Sequence, residues 1–298
     1  MNLTLAGLQW SNCLVYIDDI IILGRSFEEH LMNLQLVLGR LKEAGLRIRP
    51  SKCALFQKQV LYLGHVVSRE GVATDPSKTD LVSKWPTPTS VSDVQRFLGL
   101  ASYYRRFIQN FAGVAKPLHR LTERDRQFKW TVECAEAFAE LKSRLVSAPI
   151  LAFPDCSKPF ILDTDASQTG IGAVLSQECN GTERVIAFAS RVLSKAERKY
   201  CVTRKELLAV VTFIQHFRHY LLGGHFLLRT DHGSLTWLQR FKEPEGQLAR
   251  WMEKLQEYDF EIVHRPGRKH SNADALSRYP CSQCGRDSED DCSTSDTP

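Results

Sequence analysis

Residues 160–177 read FILDTDASQTGIGAVLSQ, two short apolar runs parted by a polar turn. Alternation with period two puts Phe160, Leu162 and Thr164 on one face of a strand and Ile161, Asp163 and Asp165 on the other. Asp165 then stands at the strand's C-terminal end. Ile171 to Gln177 and Arg184 to Ser190 supply two more strands. A helix over about 204–220, a strand at 225–230, one or two helices through 257, a strand at 258–264 and a terminal helix follow. The order β-β-β-α-β-α-β-α predicts an α/β (α+β) domain, a mixed sheet covered by helices.

Four acids fall at junctions of this pattern. Asp165 ends the first strand, and Glu206 opens the helix whose apolar stripe is Leu207, Val210, Ile214 and Phe217. Asp231 follows the apolar strand Phe226 to Leu228, and Asp274 begins the last helix. Carboxylates gathered at neighbouring strand ends and helix starts repel one another, so such a group ionises together only around cations. A pair of Mg²⁺ ions, or Mn²⁺, fits that need and can activate water for phosphodiester cleavage. Plainer readings exist. Thr203 with Glu206 can be a capping box, and Asp231 and Asp274 can be helix-start acids favoured by the dipole.

Upstream, residues 13–23 (CLVYIDDIIIL) set two acids between β-branched runs, the pattern of a tight hairpin displaying Asp18 and Asp19. Ser26 with Glu29 reads as a capping box, followed by a helix with Leu31, Leu34, Leu38 and Leu41 on one face and its end near Gly45. A second hairpin runs through Val60–Leu63 and His65–Val67, with a turn near Glu70-Gly71. After Trp85-Pro86-Thr87-Pro88, Val94, Phe97, Leu98, Phe107 and Ile108 show helical periodicity, and Phe138, Leu141 and Leu145 mark a further helix. Residues 149–159 resemble a linker.

The 298 residues, 43% hydrophobic and 24% charged, suffice for two or three globular domains. No apolar run approaches the roughly 20 residues of a membrane span, and the first 30 residues lack a signal pattern, so a cytoplasmic or nuclear protein is expected. Nine scattered cysteines argue against a disulfide framework, and most are expected to be small buried residues. Cys281 and Cys284 form a CxxC without a second pair, and read as tail cysteines. The tail from 279 to 298 is polar and acidic, with one Arg against five acids, and is expected to be disordered. With the net charge at +5, the tail's −4 leaves +9 on the body, an excess that favours nucleic acid as partner.

The stretches 160–177 and HRPGRKHSNADALSR (264–278), with TRKELLAV and RTDHGSL between them, resemble the RNase H domain of long-terminal-repeat retroelement polyproteins, particularly the gypsy-like group. That resemblance covers about 155–278. It implies a mixed five-stranded sheet with flanking helices, and metal binding and catalysis by Asp165, Glu206, Asp231 and Asp274. Asp163 matches less well, because the family's acid precedes a small residue and Ser. His264 and His270 are the local candidates for a proton-shuttling histidine. His216 and His219, three apart on a helix, have no evident carboxylate partner and read as surface residues.

YIDD and PSKCALFQKQVLYLGHVVSREG (50–71) resemble the palm hairpin of reverse transcriptases and the segments after it, over residues 11–75. Tyr16, Asp18 and Asp19 then form a polymerase remnant, with Asp18 and Asp19 as metal ligands. Lys52 would lie near an incoming triphosphate, and Leu63, Gly64 and His65 at a primer-gripping hairpin. FLGLASYYRRFIQNFAGVAKPLHRLT (97–122) resembles the family's thumb and connection. There Tyr103, Arg105 and Arg106 mix aromatic and basic groups suited to a nucleic-acid backbone, although Tyr104 can equally be core and the arginines solvated.

The expected organisation is therefore a C-terminal palm part (1–78), thumb/connection helices (79–154), an RNase H-like domain (155–278) and the tail. The family's polymerase site uses a further Asp upstream of the hairpin, and residues 1–15 contain no acid. Hydrolysis of RNA in RNA-DNA hybrids is accordingly the expected activity, with RNA-DNA hybrid and primer-template nucleic acid as partners, and dNTP only if the missing palm is supplied. Protease and integrase signatures are missing, as in an internal piece of a polyprotein or a decayed element. A catalytically silent nucleic-acid-binding relic is the alternative.

Overall fold

The computed structural model describes residues 1–124, 126–231 and 246–264. Contacts divide the chain between Arg69 and Glu70 into two compact units.

In the first unit, β1 (Cys13–Tyr16) and β2 (Asp19–Ile22) pair antiparallel, with Tyr16 closing on Asp19 across a two-residue turn. α1 (Phe27–Glu43) is capped by Ser26, whose side chain accepts from the Glu29 N–H, while Glu29 Oε2 accepts from the Arg25 N–H. Gly45 at φ 69° and the Leu46 N–H to Leu41 O bond of 2.9 Å end it. The buried face differs from the expected one: Asn33, Leu34, Val37 and Leu41 are buried, while Leu31 and Leu38 are exposed. Asn33 tolerates burial because its amide donates to Leu23 O and its Oδ1 accepts from Asn12. β3 (Gln59–Tyr62) and β4 (His65–Ser68) form a second hairpin around Leu63 and Gly64, both at positive φ.

The second unit begins with β5 (Gly71–Thr74), α2 (Pro76–Ser83), α3 (Val91–Tyr103), α4 (Phe111–Leu121) and α5 (Val132–Val146). Its helices share one core containing Val94, Phe97, Leu98, Phe107, Ile108, Phe138, Leu141 and Leu145, every apolar position anticipated above. Phe107 lies in a short 3₁₀ turn after α3, which spaces these residues differently from one continuous helix.

β6 (Phe160–Ala166), β7 (Gly170–Cys179), β8 (Thr182–Val192), α6 (Val202–His216), α7 (Arg218–Leu221), β9 (Phe226–Thr230), α8 (Gly246–Gln256) and β10 (Phe260–His264) complete it. The sheet runs β10-β9-β6-β7-β8, with β6 parallel to β9 and antiparallel to β7. This is the anticipated mixed five-stranded α/β sheet. Phe160, Leu162, Phe226 and Leu228 pack with the apolar stripe of α6. The expected terminal helix and acidic tail lie outside the described residues.

Two junctions carry contacts that the sequence did not show. β5 and α2 belong with the second unit, because Val72 and Leu151 exchange backbone bonds of 2.8 Å. Residues 149–159 are no free linker either: Leu151 and Ala152 are buried, and Ala152 N–H donates to Val185 O at 2.7 Å. Among the six described cysteines only Cys13 and Cys134 are buried, so burial is less general than expected.

Candidate active site

β6 and β9 run parallel with Asp163 opposite Arg229 and Thr164 opposite Thr230. Their C-terminal ends therefore bring Asp165 and Asp231 side by side, the parallel register doing what no local sequence signal could. Thr164 and Thr230 are buried toward α6, and the alternate positions Asp165 and Asp231 are exposed. From α6, Glu206 completes the group. One carboxylate oxygen from each of Asp165, Glu206 and Asp231 lies within 4.8 Å of the others.

Glu206 is 3% exposed, with Oε1 accepting from the Ala166 N–H at 3.1 Å. Its Oε2 is buried without a hydrogen-bond partner among the described residues. Burial first, then the charges of Asp231 and Asp165, push its carboxyl up to about 8, against the Ala166 hydrogen bond. Partial loss of water around it, then the Asp231 charge, likewise raise Asp165. α6 is entered through Cys201 with no side-chain cap, so Thr203 is not its N-cap and the capping-box reading of Glu206 fails.

A buried acid with an orphaned oxygen beside two more carboxylates is short of positive charge. The hard oxygen donors suit a divalent cation such as Mg²⁺ or Mn²⁺. The residues present thus fit a metal. Asp274 and His270 lie outside the described residues, as do Cys281 and Cys284. His264 ends β10 with Nε2 3.0 Å from the Asp231 backbone oxygen, next to the acids.

Asp163 points to the same side as Asp165 but is engaged elsewhere. Arg229 Nε donates to its Oδ1 at 2.8 Å, and the same guanidinium bonds Glu183 on β8, which also accepts from Ser176 Oγ at 2.7 Å. This latch reaches across the sheet from β9 to β8. Only the placement of β9 beside β6 makes it visible, so the sequence alone missed Arg229 and Glu183.

The other sequence candidates scatter. Asp18 sits in the β1–β2 turn after Ile17 at φ 56°, and Tyr16, Asp18 and Asp19 are exposed. Tyr62 of β3 stands near them: burial first, then Asp19 and Tyr16, raise its phenol. Lys52 is exposed, whereas Gly64 turns the second hairpin and His65 opens β4 half-buried. In the second unit Tyr103 is exposed, while Arg105 donates to Ser190 O at 2.8 Å and Arg106 to Ile186 O at 3.4 Å. Those two arginines tie the helical segment to β8, a role outside the expected nucleic-acid contact. His216 and His219 are exposed, and His216 meets Phe217 edge-on with ring centres 4.8 Å apart.

No helix among the described residues is long and apolar enough to cross a membrane. Residues 155–258 match the RNase H-like domain found in reverse transcriptase, and residues 1–67 match reverse transcriptase, the RNA-dependent DNA polymerase. The retrovirus-related Pol polyprotein from transposon 297 of Drosophila melanogaster is 44% identical over 279 residues, which cover 93% of this chain and 26% of that polyprotein. A foamy viral protease-reverse transcriptase in complex with double-stranded DNA superposes with a TM-score of 0.79 at 25% identity, covering 90% of this chain and 48% of that one. A foamy viral protease-reverse transcriptase in complex with RNA/DNA hybrid, without the dRH designation of the first, gives 0.77 at 24% identity, covering 100% and 39%. This chain therefore carries a reverse-transcriptase segment followed by an RNase H-like domain, the combination found in the Pol polyproteins of long-terminal-repeat retrotransposons.

Proposed function

We propose that the chain is a gypsy-like reverse transcriptase/RNase H segment whose RNase H-like domain hydrolyses the RNA strand of RNA-DNA hybrids. The observation that carries this is the Asp165–Glu206–Asp231 cluster with the unpartnered Glu206 Oε2. Asp165, Glu206 and Asp231, with Asp274 from beyond the described residues, would hold Mg²⁺ or Mn²⁺. When bound, such ions supply an activated water and charge for the leaving oxygen. Asp165 and Asp231 are fixed by the β6–β9 register, and Glu206 is held through Ala166 N–H, so the donors are set before substrate arrives. Metal binding would require Glu206 to give up the proton that burial favours. Duplex recognition rests on backbone charge and ribose 2′-hydroxyls rather than base sequence. The foamy viral enzyme in complex with hybrid supports this choice of partner.

The test is cleavage of a labelled RNA-DNA hybrid by the full chain with Mg²⁺. Asp165→Asn and Asp231→Asn are each expected to reduce it by roughly two to three orders of magnitude, the size of losing one group that stabilises a transition state. Failure of the well-folded chain to cleave in Mg²⁺ or Mn²⁺ refutes the proposal. DNA synthesis is a different matter. Asp18 and Asp19 need a third carboxylate that residues 1–15 do not contain, so primer extension by this chain alone should be absent, and robust extension would refute that part.

A further inference from the structure

A group of cations stands near the same end of the sheet as the acids. α4 buries Phe111, Ala115, Leu118 and Leu121, which leaves Lys116 and Arg120, one turn apart, beside that stripe. Arg198 comes from the 3₁₀ turn Glu197–Lys199 and is anchored by its Nε to Leu193 O at 3.0 Å. Both supports end on one stretch of β8: the Ala112 N–H donates to Ser190 Oγ at 2.9 Å, and Leu193 follows the last residue of β8. Ser190 pairs with Gly172, which pairs with Asp165. At about 4.8 Å per strand, β8 at this level is roughly 10 Å from the acid-bearing strand.

Like charges so placed repel, and a pair four apart on a helix is already unfavourable. Here partial loss of water, then Arg198, then Arg120, hold the Lys116 ammonium below the ordinary lysine range. Among the described residues none of the three makes an ion pair. The nearest acid in sequence, Glu197, is engaged by Arg191 at 3.0 Å and by the Ser194 N–H at 2.8 Å. The cluster is the electrostatic inverse of the carboxylate site: three cations gathered from two elements, short of an anion.

We infer that Lys116, Arg120 and Arg198 form a phosphate-binding site for the backbone of the same duplex whose RNA strand meets Asp165, Glu206 and Asp231. This rests on the hybrid-cleavage reading for its substrate. The duplex carries a phosphate every 3.4 Å of axis on each strand, so a separation of 10–20 Å corresponds to about three to six base pairs. Contacts of this kind fix register and carry no sequence information. The site also joins the helical segment to the nuclease-like sheet through one ligand, a role that Arg105 and Arg106 do not fill because they are bonded to β8 carbonyls.

The experiment uses the full chain and a fluorescent RNA-DNA hybrid in Ca²⁺, scoring binding alone, across a salt series. K116Q/R120Q should weaken binding about tenfold at moderate salt and lower the log–log salt slope by about 2, close to 0.9 per lost phosphate contact. R198Q should lower the slope by about 1, and K116R should restore the wild-type value. The unfolding temperature of K116Q should equal or exceed wild type, since repulsion is relieved, and the Mn²⁺-induced thermal shift should be unchanged. An unchanged slope in K116Q/R120Q overturns the inference, as does a lowered unfolding temperature with intact hybrid affinity. Because the readout is binding, a chain that binds with this slope yet never cuts supports the phosphate site while refuting the cleavage proposal.

Discussion

Arg229 holds Asp163 through a two-pronged contact across the parallel β6–β9 pair, each residue two positions before a candidate metal ligand. A slip of one residue between these strands would turn the acids to opposite faces. The half-buried pair therefore acts on the geometry of Asp165 and Asp231 without touching their carboxylates. Asp163→Asn should cost about 2–3 kcal/mol, because Arg229 keeps a desolvated charge with one partner lost. D163N/R229Q should cost less than the sum of the singles. Urea titration of the four proteins measures the coupling, and strict additivity would show the latch to be inert.

Glu206 makes the metal-free protein sensitive to pH. Its folded-state value of about 8 lies above the usual 4.5, so the folded chain binds a proton that the unfolded chain releases. Stability is then fullest below pH 4.5 as far as this group is concerned, and is lost as pH rises to about 8. The loss is on the order of 5 kcal/mol. Glu206→Gln should flatten this part of the profile. Mg²⁺ at 100 times its dissociation constant should return about 2.7 kcal/mol to wild type at pH 8, and much less to the variant. Thermal melts in chelator and in Mg²⁺ across pH 5–9 read both.

Gly71 stands at φ 141°, and a β-carbon there would lie 2.0 Å from Leu151 O. Gly71→Ala should destabilise the second unit by about 2 kcal/mol or more. Gly99 in α3 meets nothing within 4 Å, so Gly99→Ala should stabilise it by roughly 0.5–1 kcal/mol. Opposite signs in paired melts are the expected result.

Ile17 adopts φ 56° in the β1–β2 turn, a conformation unfavourable for a branched side chain. Ile17→Gly or Ile17→Asn should stabilise that hairpin by about 1 kcal/mol. Slower hydrogen exchange at the paired amides of β1 and β2 would register it.

Much of this was legible because it is written locally. Alternation from Phe160 to Asp165 gave the correct strand faces, and the apolar stripes around Phe97 and Phe138 were sparse enough to point one way. α1 misled because leucine occurs on several sides, at 31, 34, 36, 38 and 41, so periodicity could not choose the face that Asn33 fixes through its hydrogen bonds. Arg105 and Arg106 read as free cations because their partners, the carbonyls of Ser190 and Ile186, are distant in sequence and carry no side-chain signature. The Arg229 latch and the Lys116–Arg198 group share that cause: strand pairing assembles the first and contacts of α4 and a 3₁₀ turn with the β8 region the second, each between segments far apart in the chain.

The bridge between Val72 and Leu151 has a bearing on how the chain can be divided. Together with the Ala152–Val185 bond and the two arginine tethers, it makes β5 and the helices part of the coat over the outer strand β8. A protease cutting at 154–155 and removing the N-terminal side would strip the carbonyls of Ile186 and Ser190 of their donors and uncover Phe188, half-buried against the helical core. The freed piece would present a bare strand rim, ready to self-associate. A cut at 69–70 spares all of these contacts.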